Sequence, residues 1–372
     1  MNKLLMVFLR GGADGLSLLI PTTDPAYNSL RPTLRIDGSE APALDDTFAL
    51  HPSAPRLHEL YAAGSLAAVP AVGFTDQTRS HFTSQAALER SGGAAGTGWL
   101  GRHLATTATD GASPFRGIAV ASVGVPPSLW GTGDALATPE PTAIELGVYR
   151  RGRARGTVTV SPSRLSPDPA TLATVWGDTA GITAEGALAA LDVLETVAAD
   201  PIDAVADPAA FGTGATATAF AGASAVLAAG LGTEIVMVNV GGWDTHNAQG
   251  VGATGAFAGL VAGLDAALGE ILGRHDDLTA LVVTEFGRRV AENGSGGTDH
   301  GTGSVVLVAG NAVNGGVRGD WPGLDDLADG DVAPVNDLRA IQAEIAADLL
   351  GTPDLETVVG GGASLASLEL IA

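Results

Sequence analysis

The sequence predicts an α/β fold with a central, mostly parallel sheet sandwiched by helices. Three observations lead there. Short apolar runs recur along the chain without apolar/polar alternation, helical patterns lie between several of them, and 45% hydrophobic residues leave ample material for a core. Unalternated β-branched runs read as strands covered on both faces, and strands alternating with helices read as a parallel sheet.

The predicted strands are 3-KLLMVFL-9, 66-LAAVPAV-72, 117-GIAVASV-123, 234-EIVMVNV-240, 279-TALVVTE-285 and 304-SVVLVAG-310. Predicted helices are 53-SAPRLHELYAAG-64, with Ser53 as N-cap and Gly64 as stop, then 83-TSQAALERSG-92, 256-AFAGLVAGLDAALGEILGRH-275 and 336-NDLRAIQAEIAADLLG-351. Residues 124–230 read as an inserted cap within a single 1–372 domain. This section opens Pro-rich and passes an Arg cluster, 150-RRGRARG, read as a solvated loop. It then turns helical at 183-TAEGALAALDVLETVAAD-200 and again at 212-GTGATATAFAGASAVLAAGLG.

Composition excludes several function classes. A net charge of -22 argues against nucleic acid, whose phosphates need basic surface, and against anionic membranes. An anionic substrate therefore needs local help against the global field. With no cysteine, thiolate nucleophiles, disulfides, Fe–S clusters and Cys-type zinc sites are out. The N-terminal run 4-LLMVFL-9 is too short for a signal peptide and lacks a cleavage pattern. The expectation is a cytoplasmic protein, or an exported one whose signal has been removed. No segment reads as a run of roughly 18 apolar residues, so no membrane span is expected.

In open α/β sheets, sites form beyond the carboxyl ends of the strands. The first strand delivers Asp14 in 10-RGGADG-15, and the second delivers Arg79, Ser80 and His81 at a helix start. The run 241-GGWDTHNAQG-250 delivers Asp244 and His246, and 284-TEFGRR-289 delivers Glu285 and Arg288. The loop 294-GSGGTDHGTG-303 delivers Asp299 and His300. An isolated Asp-x-His is usually a loop hydrogen-bonding pair, and Asp14 alone is turn chemistry. Five such contributions to one cleft point instead to a metal site, with Asp14, Asp244, His246, Glu285, Asp299 and His300 as candidate ligands. Carboxylate and imidazole donors without sulfur suit Zn²⁺ or Mn²⁺ best, with Mg²⁺ or Ca²⁺ as further options. Ser80 is either a helix cap or a nucleophile beside the metal. Arg79 and Arg288 are candidates to complement the charge of a phosphoryl or sulfuryl group. The glycine-rich loop lacks a P-loop ending, and no G-x-S-x-G elbow occurs.

The segments 7-VFLRGGADGLSLLIP-21, 79-RSHFTSQ-85, 241-GGWDTH-246, 284-TEFGRRVAENGSGGTDHGTG-303 and 314-NGGVRG-319 together resemble the DUF1501 family, placed in the alkaline phosphatase/sulfatase superfamily. The resemblance implies an alkaline-phosphatase-like sheet with metal ligands at its carboxyl ends. Asp14 then resembles the first-strand ligand and Ser80 the nucleophile. Asp244 with His246 is similar to the pair serving one metal, and His300, with Asp299, to the late ligand. Glu285 stands where an Asp-His pair is common, and Phe286 replaces the histidine. The resemblance implies a metal-dependent hydrolase of a small-molecule or glycan phosphate or sulfate ester, with His81 positioning the nucleophile or protonating the leaving group. Two alternatives remain: a non-catalytic binding or scaffold protein, and a metallohydrolase of another ester or amide.

Overall fold

A computed structural model describes residues 2–74, 78–109, 113, 115–122, 124–132, 135–140, 143–150, 153–160, 207–251, 254–361 and 365–372. Its main sheet contains β1 (Lys3–Leu9), β4 (Leu66–Gly73), β5 (Gly117–Val120), β6 (Ala135–Glu140), β7 (Ala143–Arg150), β8 (Arg153–Val160), β9 (Ile235–Val240), β10 (Leu278–Thr284), β11 (Ser304–Gly310), β12 (Gly316–Val317) and β13 (Asn336–Asp337). The order is β12-β4-β11-β10-β1-β9-β5-β6-β7-β8, with β13 also on β4. A small antiparallel sheet pairs β2 (Leu19–Pro21) with β3 (Phe48–Leu50). The helices are α1 (Gly15–Leu18), α2 (Pro25–Leu30), α3 (Pro55–Ala62), α4 (His81–Arg90), α5 (Trp99–Thr106), α6 (Gly214–Ala228), α7 (Ala256–Arg274), α8 (Leu338–Glu344) and α9 (Leu355–Val358).

The central strand β1 shows why its run lacks alternation. Leu5, Val7 and Leu9 enter the core layer under α6 and α7, whereas Leu4, Met6 and Phe8 enter the opposite layer under α5 and α8. Successive side chains point to opposite faces, so a strand covered twice must be apolar throughout. Each of these burials is worth roughly 1.5–3 kcal/mol. Leu9 pairs with Thr284 of β10 and Val240 of β9, which brings the three exits to one level.

The central strands β10, β1, β9, β5 and β6 run parallel, whereas β7 pairs antiparallel with β6 and β8, and the parallel run also breaks beside the site. β11 runs antiparallel to both β10 and β4. Only the glycine-rich stretch 285–303 joins β10 to β11, with no helix in it, and such a connection returns the chain antiparallel.

Several expected elements shift. The cap of α3 is Ala54, not Ser53, and α4 starts two residues before the expected 83. Part of the expected insertion extends the main sheet as β6, β7 and β8, so Arg150 and Arg153–Gly156 lie in strands rather than a loop. The expected helix at 183–200 lies outside the described residues. By length and composition alone α7 could cross a bilayer, as a buried core helix also can, and in this fold its Val261, Leu264, Leu268 and Ile271 face is buried in the core.

Gly11 carries the tightest constraint at the β1 exit. Its φ is +127°, and a Cβ there would lie 2.4 Å from the Asp244 backbone nitrogen. We expect Gly11→Ala to cost at least about 2 kcal/mol in urea unfolding. A cost under about 0.5 kcal/mol would show that the two strand exits are not in contact.

Candidate metal centre

The centre is assembled from three histidines, each gripped on its outer nitrogen. His81 opens α4, and its Nδ1 lies 2.8 Å from Glu285 Oε1. Glu285 is fully buried and also accepts from the Gly11 backbone N–H at 3.0 Å and from Gln85 Nε2 at 3.0 Å. Burial by itself would raise the Glu285 carboxyl, but the hydrogen bonds from Gln85, the backbone and His81 bring it below its ordinary value. An ionised carboxylate only accepts, so His81 donates from Nδ1, which in the neutral ring leaves Nε2 as the lone pair.

The same logic holds for the other two. His300 Nδ1 donates to the Arg79 carbonyl at 2.9 Å, which frees its Nε2, and burial pushes the His300 imidazole down. His246 Nδ1 donates to Asp299 Oδ1 at 3.2 Å. Asp299 is held ionised first by a hydrogen bond from Asn293 Nδ2, 3.0 Å away, and then by His246.

The freed nitrogens converge on Asp244. His246 Nε2 is 2.9 Å from His300 Nε2 and 3.1 Å from Asp244 Oδ1. His300 Nε2 is 3.2 Å from the same oxygen, and His81 Nε2 is 3.7 Å from Asp244 Oδ2. Burial acts to raise Asp244, but the hydrogen bond from Arg288 and the contact with His300 outweigh it, so the carboxyl is held below its ordinary value. With each Nδ1 donating outward, neutral imidazoles would turn their Nε2 lone pairs towards this one carboxylate. A single proton can satisfy only part of such a set, whereas a cation satisfies all of it. For metal–nitrogen bonds of about 2.0–2.1 Å, tetrahedral ligand atoms sit about 3.3 Å apart, which is close to these separations. Among the described residues, the ligand atoms of His81, Asp244 and His300 all lie within 4.8 Å of one another, and His246 reaches two of these three, Asp244 and His300. The Phe286 ring, 4.9 Å from His81 and 4.6 Å from His300 between centroids, walls one side of the centre.

Other expected ligands and catalytic groups do different work. Asp14 does not reach the centre: it is fully buried and paired with Arg31 through both oxygens, at 2.7 and 2.9 Å. Ser17 and Gln249 donate to it as well, each at 2.7 Å. Burial would raise Asp14, yet the Arg31 charge and these hydrogen bonds bring it below its ordinary value. Glu285 and Asp299 grip histidines from outside instead of facing the shared point. Arg288 is buried, donates to the Gly11, Gly12 and Thr298 carbonyls, and fixes Asp244 Oδ1 at 2.6 Å. The Arg79 guanidinium is spent on Asp331 and Asp329. Ser80 sits at the α4 N-cap but makes no side-chain cap bond. Its exposed Oγ accepts only from Thr83 Oγ1, at 3.5 Å, among the described residues, and none of these residues is a base in contact with it.

Gln85, Asn293 and Arg31 were missed by the sequence reading. Gln85 carried a signal, because it follows His81 by one helical turn and shares its face. Asn293 and Arg31 carried none, since their partners are set by loop packing.

Arg31→Met should cost about 3–5 kcal/mol at neutral pH, by leaving the buried Asp14 carboxylate without its counter-charge. A depressed carboxylate stabilises above its unfolded value, about 3.9, and that stabilisation is lost as pH falls through the folded value. The penalty should therefore shrink below about pH 4 in urea melts followed across pH. A small penalty that ignores pH would contradict the pairing.

No curated protein matches this chain, but the family described as "Protein of unknown function (DUF1501)" does: its model covers residues 190–351, the stretch carrying Asp244, His246, Glu285, Arg288, Asp299 and His300.

Proposed function

We propose that this protein is a metal-dependent hydrolase of an anionic phosphate or sulfate ester. The carrying observation is the convergence of imidazole Nε2 atoms from His81, His246 and His300 on the Asp244 carboxylate, which is held below its ordinary value. His81, His246, His300 and Asp244 would hold a divalent ion, and imidazole-rich donors favour Zn²⁺ or Mn²⁺ over Mg²⁺ or Ca²⁺, which prefer oxygen shells. Such an ion supplies Lewis-acid polarisation of an ester oxygen and acidifies water. The class of substrate is supported by the motif resemblance to the alkaline phosphatase/sulfatase superfamily and by the position of the site at the strand carboxyl ends.

The chain's own groups divide the remaining work. Glu285 with Gln85 orients His81, Asp299 with Asn293 orients His246, and the Arg79 carbonyl orients His300. Arg288 fixes Asp244. Because no base among the described residues contacts Ser80, water is the better-supported nucleophile. One observation favours the alternative of a non-catalytic metal-binding protein: Arg79 and Arg288 are both consumed by structural partners and offer little to a developing charge.

Elemental analysis of purified protein should find about one Zn or Mn per chain. His246→Ala and His300→Ala should lose most of it, and Glu285→Gln should weaken metal affinity about 10–100-fold by loosening His81. With p-nitrophenyl phosphate or sulfate, Ser80→Ala should keep its turnover. No metal, and no turnover after adding Zn²⁺ or Mn²⁺, would end the hydrolase reading. Metal without turnover would select the binding protein.

A further inference from the structure

The topology has a reversal point. From β1 the chain moves to β4 on one side, then crosses back to β5 on the other, so the switch in strand order falls beyond the ends of β1 and β9. Ligands of open α/β sheets bind at such switch points. Arg10 and Asn239 straddle it: Arg10 Nε donates to Asn239 Oδ1 at 2.8 Å. Asn239 is the lone polar residue of β9 and, unlike its strand neighbours, is partly open to solvent. It sits level with Phe8, whose ring lies 3.6 Å beneath the Arg10 guanidinium carbon.

Arg10 is held as an anchoring cation would be. Nη2 donates to Glu89 Oε1 at 2.8 Å, and the Glu89 side chain is almost completely buried whereas that of Arg10 is 24% exposed. With Nε and Nη2 engaged and the plane resting on Phe8, Nη1 has no hydrogen-bond partner among the described residues. His81, Gln85 and Glu89 fall at successive turns on one face of α4. Their eight-residue span is about 12 Å. A polar track therefore runs under α4 from the metal centre to Arg10.

We propose that Arg10 binds a second anionic group of the substrate, a carboxylate, sulfate or phosphate, about 10 Å from the group held at the histidines. The protein then selects extended substrates carrying two anionic groups. The identity of the reacting end rests on the hydrolase reading; the anion site itself does not. In a chain of net charge -22, a fixed cation is what lets a second anion enter.

Sulfate is titrated into metal-free protein while the arginine Nε–Hε resonances are followed, Arg10 being assigned by its loss in Arg10→Gln. A saturable shift at Arg10 is expected in the wild type and equally in His246→Ala. Glu89→Gln removes the neutralising partner and should tighten sulfate several-fold, an effect that loss of structure could not produce. In the metal-loaded protein, alkane bisphosphonates of graded length should bind at least tenfold tighter than a monophosphonate at the best length, and Arg10→Gln should erase that gain while metal content holds. No saturable shift at Arg10, weaker sulfate in Glu89→Gln, or no dependence on length would overturn the proposal. Loss of monophosphonate binding with sulfate binding intact would count against the metal centre alone.

Discussion

The buried carboxylate of Glu285 is the interaction on which the rest of the centre depends. It follows β10 directly and accepts hydrogen bonds from the β1 exit through Gly11, from α4 through Gln85, and from the first residue of α4, His81. A buried ionised group is costly unless such donors surround it, so its presence forces three separate elements to meet. Their meeting turns His81 so that Nε2 faces Asp244. A buried carboxylate thus organises the cleft.

Two arginines extend this principle by separating structure from chemistry. Arg31 neutralises Asp14 beneath the site and donates further to the Val290 and Arg289 carbonyls, locking the end of α2 to the loop after β10. Arg288 reaches the carbonyls of the β1 turn and of the glycine-rich loop while holding Asp244. Both guanidinium groups are saturated by fixed acceptors, which leaves them rigid and unavailable to a substrate. Glycine provides the closeness this requires: a Cβ on Gly297 would sit 2.3 Å from the Thr245 carbonyl, so the loop carrying His300 can press against the run carrying His246 only without a side chain.

The sheet and the location of the cleft were legible in the sequence. Runs such as 3-KLLMVFL-9 and 234-EIVMVNV-240 can be continuously apolar only if both faces are covered, and a parallel sheet then fixes which end collects the polar residues. The division of labour among those residues was not legible. Whether a carboxylate faces the shared point or grips a histidine from behind depends on which imidazole nitrogen it meets, and residue spacing carries no such information. Asp14 reads identically in sequence whether it faces the cleft or Arg31. The direction of β11 was readable in principle, since 285–303 is too glycine-rich to hold the helix that a parallel crossover needs. Arg10 escaped notice because a lone arginine after a strand has no pattern; only its partners Glu89, Asn239 and Phe8 distinguish it.

The chemistry of the centre is decided by which nitrogens and oxygens face the shared point. Anomalous diffraction at the zinc edge from crystals of the Zn²⁺-loaded protein tests this most directly. The arrangement predicts one peak within about 2.0–2.2 Å of Nε2 of His81, His246 and His300 and of an Asp244 carboxylate oxygen. A peak beside Asp14, or one bound through Glu285 or Asp299 with the histidines turned away, would contradict it, as would no peak at all.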